Sequence, residues 1–142
     1  MKTIEEIQRE IVEEFEMMED WVEKYNYLLE LAKSLPPIDE KYRKKENLIE
    51  GCQSQVWLAA EYKDGKIYFF ADSDALITKG IIALLLRVFS GQSPNDIYNS
   101  DIWFIDKIGL ASHLSPTRSN GLVAMVKQIR MYALAYKTKY NL

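Results

Sequence analysis

The stretch from Ala75 to Val88 constrains the fold of this chain more than any other segment. Its residues are apolar nearly all round, which is typical of a helix buried on every side. The Asp-Ser-Asp tripeptide at 72–74 precedes it and Gly91 follows it. We therefore predict a helix that begins at this tripeptide and ends at about Phe89. Such a helix must be central, and the rest of the chain must cover it.

Two strand-like segments come before this helix. They run from Val56 to Tyr62 and from Ile67 to Ala71, and the residues 63–66 between them read Lys-Asp-Gly-Lys. Asp-Gly is a strong signal for a tight hairpin turn. Because both strands are apolar on nearly both faces, we expect helices on one side of the sheet and partial cover on the other.

Further elements are predicted around this pair. Thr3 and Glu6 form a capping-box pattern at the first helix, and two prolines at 36–37 end the second. The remaining predictions are a loop with a short helical turn over 38–50, a short helix from Ser93-Pro94, a third strand over 102–104, one or two helical turns over 104–110, a loop over 115–120, and an amphipathic helix from Leu122 to Tyr140.

These elements predict one α+β domain over residues 1–142, with a small antiparallel sheet packed by helices. A chain of 142 residues with an apolar fraction of 48% can build one core. The longest strongly apolar stretch without a charge, Gly80 to Leu86, is too short to cross a bilayer. The N-terminus does not resemble a secretory signal. We therefore expect a cytoplasmic location and no membrane partner.

Charge is distributed unevenly along the chain, although the net charge is only −3. Residues 1–30 carry ten acids and three bases, whereas residues 118–142 carry five bases and no acid. The acidic total argues against a nucleic-acid partner. The asymmetry favours either two helix faces that attract each other or a protein partner recognised partly by charge.

Cys52 is the only cysteine and His113 is the only histidine. One cysteine cannot form an internal disulfide, and this pair lacks the ligand set of a zinc or iron–sulfur site, so we expect no bound metal. Cys52 follows Gly51 at the entrance to the first strand, where a thiol can be presented to a reaction partner. A lone cysteine is otherwise most often a small buried hydrophobic residue.

Four segments carry a recognisable pattern. They are GCQSQVW at 51–57, W-x-E-K-Y-x-Y at 21–27, DSDA at 72–75 followed by KG at 79–80, and SHLSPTRS-x-GL at 112–122. Together they resemble the SufE family, the sulfur-acceptor proteins that work with cysteine desulfurases in iron–sulfur cluster assembly. The resemblance runs in order over nearly the whole chain. It implies a small α+β fold of the SufE/IscU-like type.

The resemblance also implies a sulfur carrier that is not itself a classical enzyme. A cysteine desulfurase of the SufS or CsdA type, which depends on pyridoxal phosphate (PLP), would hold a persulfide on its own cysteine. Cys52 would accept the outer sulfur by thiol–disulfide exchange. The acceptor would stimulate the desulfurase and pass sulfur on towards an iron–sulfur scaffold. Because PLP belongs to the partner, we expect no cofactor on this chain.

Three residues of the GCQ segment take different parts in this hypothesis. The resemblance places Cys52 on a loop whose tip can tuck into an apolar cavity and swing out. Gly51 permits unusual backbone angles, and the polar Gln53 is compatible with a hinge. Cys52 is the predicted persulfide carrier, and its two neighbours are predicted to support it or to bind the partner.

Three residues elsewhere are candidates for supporting roles. Arg118, in the predicted loop, could bind the desulfurase, lower the pKa of the active thiol, or pin its own loop. His113 is a weaker candidate for a general base, since a lone histidine is more often structural. Asp74 is expected to cap the central helix, with loop positioning or partner contact as the other roles.

Three other functions stay open at this point. A cysteine hydrolase or transferase would need Cys52 and His113 within hydrogen-bond reach, together with an oxyanion site. An iron–sulfur scaffold would need several thiolates, against which the single cysteine argues directly. A non-catalytic interaction domain would carry an inert buried thiol and would work normally as Cys52→Ser.

Overall fold

The computed structural model describes residues 2–52 and 54–142, with only the backbone of Thr117. In these residues six helices surround one β-hairpin, which confirms the predicted α+β class and small antiparallel sheet. The helices are α1 Ile4–Glu16, α2 Trp21–Ser34, α3 Leu76–Phe89, α4 Pro94–Tyr98, α5 Phe104–Lys107 and α6 Pro116–Tyr140. The strands are β1 Val56–Lys63 and β2 Lys66–Ser73. Single 3-10 turns cover Glu40–Tyr42, Lys45–Asn47 and Ala111–His113. None of the helices in this part of the chain is long and apolar enough to cross a membrane.

The hairpin turn lies at Asp64 and Gly65, as the Asp-Gly pair predicts. Their φ angles of 53° and 81° are both positive, which is what a two-residue turn needs if it is to match the twist of its strands. The pairing extends as far as Val56 opposite Ser73. Strand β2 therefore continues two residues past its predicted end at Ala71.

Both edges of this two-stranded sheet are covered. On the β1 edge, the hydroxyls of Tyr132 and Tyr136 in α6 donate to the carbonyls of Leu58 and Ala60, at 3.3 and 3.2 Å. On the β2 edge, the chain that follows α3 forms an isolated antiparallel bridge with the strand. These contacts occupy some of the backbone groups that could otherwise pair with a foreign strand.

Helix α3 is the buried central helix that the apolar stretch predicts, and it packs against α1, α2 and β2. Gly80 of α3 lies against the backbone of α2. A Cβ atom added there would lie 2.2 Å from the carbonyl oxygen of Leu28. Only a residue without a side chain permits this approach, so Gly80 sets how closely α2 and α3 pack.

The predicted start of the central helix at residues 72–74 is wrong. Asp72 and Ser73 belong to β2, and α3 begins at Leu76 without a side-chain cap. The physical reason is that the carboxylate of Asp72 has stronger partners elsewhere. It accepts hydrogen bonds from Arg43 Nη2 at 2.7 Å and from the N–H of Ile38 at 3.2 Å, and it forms an ion pair with Lys79 Nζ at 3.2 Å.

The Asp72→Asn variant is expected to lose less of its free energy of unfolding at acidic pH than the wild type does. Burial alone would raise the pKa of Asp72, but two backbone N–H groups, Lys79 and Arg43 outweigh it and hold this pKa below its ordinary value. The carboxylate therefore contributes stability that is present above its ordinary pKa of 3.8 and is lost as the pH falls through its lower folded-state pKa. Urea unfolding at neutral and acidic pH measures this contribution, with the exposed Glu30→Gln as the control. An equally steep acid loss in Asp72→Asn and wild type would contradict it.

The predicted third strand at 102–104 is also wrong. Phe104 begins α5, and the N–H groups of Trp103 and Phe104 donate to Oε1 of Gln8 in α1, at 2.9 and 3.2 Å. The buried amide of Gln8 thus takes the backbone donors that a sheet would have used. The predicted helical turns over 104–110 are confirmed by α5, and the 3-10 turn that follows at Ala111–His113 lies beyond the predicted range.

The segment 115–120, predicted as a loop, is the start of α6. The side chain of Ser115 caps this helix by accepting the N–H of Arg118, and Pro116 is its first residue. Serine followed by proline is a helix-start signal because proline needs no N–H partner at the first helical position. The same signal correctly predicts α4 at residues 93–94. The predicted loop with short turns over 38–50 is confirmed.

Candidate functional site

Cys52 lies in a short loop whose two ends are tied together. The N–H of Ile49 donates to the carbonyl of Val56 at 2.9 Å, and Leu48 forms an isolated antiparallel bridge with Trp57. The chain therefore leaves the sheet just after Ile49 and re-enters it at the first residue of β1. This closed base holds the loop in place at one end of the hairpin.

Asp74 ties the second end of the loop to the segment before α3. Its Oδ1 accepts the N–H of Gln55 at 3.1 Å, and its own N–H donates to the Gln55 carbonyl at 3.3 Å. The Ser73 hydroxyl donates to the same carbonyl at 2.8 Å. The expectation that Asp74 caps α3 is therefore wrong, because the carboxylate is used by the loop. Of the roles considered for it, loop positioning is the one whose contacts are present.

Gly51 turns the loop over helix α6. Its φ of 89° lies in the left-handed region, which favours glycine. A Cβ atom added there would lie 3.9 Å from Cβ of Ala124, so backbone conformation and not space demands a glycine. Gln53, the other predicted supporting residue of this segment, lies outside the described residues.

The side chain of Cys52 lies on the backbone of α6. It is half-buried, and its Sγ is 3.8 Å from the carbonyl oxygen of Gly121, a distance that suits a weak S–H···O contact. A cavity of about 20 Å³ lies beside it, lined by Cys52, Ser54, Val56, Thr78, Ile81, Arg118, Gly121 and Met125. Burial raises the pKa of the Cys52 thiol, so this position disfavours the thiolate, which is the reactive form of cysteine.

Arg118 lies in the first turn of α6, and its loop assignment is wrong for the reason given above. The residue is exposed, and it is one of the residues that line the cavity beside Cys52. The fold thus brings these two predicted site residues together from distant parts of the sequence. A guanidinium that reaches this cavity can stabilise a thiolate or a carboxylate there.

His113 is placed elsewhere. Its ring stacks on Trp21 of α2, with centroids 3.8 Å apart, and its Nδ1 lies 2.9 Å from the carbonyl of Gly109. The hydroxyl of Tyr25 donates to its backbone carbonyl. As far as the described residues go, His113 is not in the lining of the Cys52 cavity. In the same residues no three His, Cys, Asp or Glu side chains are grouped to bind a metal.

Comparison with known sequences identifies the family. Residues 9–133 match the SufE family model, described as an Fe-S metabolism associated domain. This chain belongs to the SufE family. An uncharacterized SufE-like protein of Rhizobium meliloti strain 1021 is 39% identical to it, over 87% of this chain and 92% of that protein. Membership confirms the resemblance and places the protein in iron–sulfur metabolism.

A solved structure shares the SufE fold of this chain. It is the solution structure of a hypothetical protein from Thermus thermophilus, with a TM-score of 0.77 and 22% sequence identity. The match covers 93% of this chain and 96% of that one. The likeness therefore extends over almost the whole architecture.

Sequence reasoning missed several residues of this candidate site, among them two on α6. Gly121 and Met125 line the cavity beside Cys52 from α6. Gly121 belongs to the family-like segment 112–122. A predicted helix that begins at Leu122 leaves this glycine in a loop and gives it no role. Had Ser115-Pro116 been taken as a helix start, a glycine inside that helix would have indicated a close approach of another part of the chain.

Proposed function

We propose that this protein is a sulfur acceptor and carrier. It takes sulfur from the persulfide of a PLP-dependent cysteine desulfurase onto Cys52, stimulates that desulfurase, and passes the sulfur on for iron–sulfur cluster assembly. The observation that carries the proposal is the placement of the sole thiol of the sequence on a closed loop, against a small cavity. The protein is a partner of an enzyme and works in the reducing cytosol, where its thiol stays free.

The transfer step needs one nucleophilic sulfur on this chain. The Cys52 thiolate attacks the outer sulfur of the donor's persulfide, and a new S–S bond forms as the old one breaks. The electron pair of the broken bond leaves with the donor sulfur as a thiolate. The proton lost by Cys52 goes to solvent, and no external oxidant is needed because the transferred sulfur keeps its oxidation state.

The cavity beside Cys52 suits the product of this step. Its volume of about 20 Å³ exceeds the roughly 10–15 Å³ that one water molecule requires, and a second sulfur would stand about 2.05 Å from the first. The apolar residues Val56, Ile81 and Met125 form part of its wall. A persulfide held there is shielded from oxidants between transfers.

Mass spectrometry of the Cys52 peptide tests the proposal directly. The protein is mixed with an active cysteine desulfurase and cysteine, and then alkylated under non-reducing conditions. We expect an adduct of one sulfur atom on Cys52, absent when cysteine is omitted. If the desulfurase turns over normally with this protein present and Cys52 never gains sulfur, the proposed function is wrong.

Arg118→Ala is expected to weaken sulfur transfer far more than folding. Truncation of an exposed side chain changes stability by no more than about 0.5 kcal/mol. Arg118 lines the cavity beside Cys52 and is exposed, so its side chain can contact the donor protein. Its loss should then raise the apparent dissociation constant, as at other interface arginines. Titration of desulfurase activity measures the transfer defect, and thermal melting measures the fold.

Lys127→Ala is the matched control, since Lys127 is an exposed cation on the same helix. It should leave the titration close to wild type. A large fall in melting temperature for Arg118→Ala, with normal transfer by the folded fraction, would instead assign the arginine a structural role.

A further inference from the structure

The backbone of α6 does not require a glycine at position 121. Gly121 lies in the second turn of this helix, and it is not among the glycines with positive φ. Apart from proline, glycine is the least favourable residue in the interior of a helix. Its presence must therefore have another physical cause.

That cause is the close approach of Cys52. A Cβ atom added to Gly121 would lie 3.2 Å from Sγ of Cys52, 3.7 Å from its Cα and 3.8 Å from its Cβ. The Cys52 side chain thus packs directly against the backbone of α6 at Gly121. A methyl group at position 121 would occupy part of the space that this side chain fills. The close atom is the end of a movable side chain, so the cysteine and not the helix would give way.

We propose that Gly121 is a positioning residue that keeps the thiol of Cys52 docked in its cavity, and that a side chain at this position shifts the thiol towards an exposed, reactive state. The inference concerns the docking of Cys52 by itself. Only its consequence for a bound sulfur rests on the proposed function. Gly121 has no side chain that could react, so its role is confined to positioning.

The surroundings of the docked thiol explain why docking opposes reactivity. The carbonyl of Gly121 accepts the S–H, which favours the protonated form. Val56 of β1, with Thr78 and Ile81 of α3, adds neutral groups to the cavity wall. Arg118 is the charged residue in that wall among those described. A thiol released from this cavity regains water and ionises more readily.

The test measures alkylation of Cys52 by N-ethylmaleimide in the intact protein across neutral to alkaline pH. Gly121→Ala is expected to react about tenfold faster near neutral pH, which corresponds to a shift of about 1.4 kcal/mol in the docking equilibrium. Its rate should also rise at lower pH than that of wild type. Asn120→Ala, at the exposed neighbouring position of α6, is the control and should react like wild type.

Thermal melting and a second variant keep the result interpretable. Gly121→Ala should melt no lower than wild type because alanine favours the helix, and Gly121→Ser should also react faster. Equal alkylation rates and pH profiles in wild type and both variants would overturn the inference. A lowered melting temperature with unchanged alkylation would overturn it as well.

A second readout separates this inference from the proposed function. If Cys52 is first loaded with sulfur by a desulfurase, the adduct should be lost about tenfold faster in Gly121→Ala on exposure to peroxide, if exposure follows the same docking equilibrium. Equal adduct lifetimes would contradict the docking role. If no adduct forms on either protein, the sulfur-carrier function fails, while the alkylation rates still decide the role of Gly121.

Discussion

Cys52→Ser is expected to abolish stimulation of a cysteine desulfurase while leaving the fold intact. A serine hydroxyl cannot accept sulfur as a persulfide, and this is the only thiol in the sequence. The side chain is half-buried and its contact with the Gly121 carbonyl is weak. Replacing its sulfur by an oxygen should therefore change stability by no more than about 0.5 kcal/mol. Sulfide release from cysteine, measured with wild type and variant at equal concentration, checks the prediction.

The matched control is Ser54→Ala, which alters another residue of the same cavity and keeps the thiol. It should retain stimulation. Binding of Cys52→Ser to the desulfurase should also persist, which separates lost chemistry from lost contact. Full stimulation by the serine variant would mean that the protein acts on the desulfurase without carrying sulfur.

Gly80→Ala is expected to destabilise the protein by about 3 kcal/mol and to lower its melting temperature by roughly 10 °C. The new Cβ would lie 2.2 Å from the carbonyl oxygen of Leu28 and 2.8 Å from its carbonyl carbon. These are backbone atoms of a packed helix, so α2 and α3 would have to move apart. The helix preference for alanine, about 1 kcal/mol, has the opposite sign and is the smaller term.

Gly121→Ala provides the contrast within the same protein. Both substitutions add one methyl group to a helix, but at Gly121 the nearest atom is the end of the Cys52 side chain. Denaturant unfolding should therefore give a lower free energy of unfolding for Gly80→Ala than for Gly121→Ala, because the clash at Gly80 involves backbone atoms. A Gly80→Ala protein as stable as Gly121→Ala would show that α2 and α3 can separate at little cost.

Local signals in the sequence predicted local structure well. The Asp64-Gly65 turn has the positive φ angles that its residue types favour. The capping box between Thr3 and Glu6 forms both of its hydrogen bonds. In each case the groups that decide the conformation lie within four residues of one another, so tertiary contacts do not compete with the local preference.

Predictions failed where a distant partner decides the outcome. Asp72 has the residue type of a helix cap, but Arg43, 29 positions away in the sequence, takes its carboxylate. The side chain of Gln8 takes backbone donors around Phe104, 96 positions away, that were assigned to a third strand. Nothing in the sequence next to Asp72 or Phe104 indicates these partners.

The sequence pointed to Cys52 as the centre of the candidate site but did not indicate the surroundings of this residue. The single cysteine and its neighbours pointed to Cys52, whereas the helix residue against it, Gly121, is 69 positions away. The family-like segments 21–27 and 112–122 contact each other. Trp21 stacks on the ring of His113, and the hydroxyl of Tyr25 donates to the backbone carbonyl of His113. These are contacts between elements, which spacing along the chain does not reveal.

The tyrosines that cover the β1 edge have a consequence for the order of events during synthesis. Tyr132 and Tyr136 are translated roughly 70 residues after the strand that they protect, a delay of several seconds at about 5–20 residues per second. For that interval the nascent hairpin has an open edge that can pair with a neighbouring chain. Helix α6, which also lines the cavity beside Cys52, therefore protects this edge from misassembly only late in synthesis.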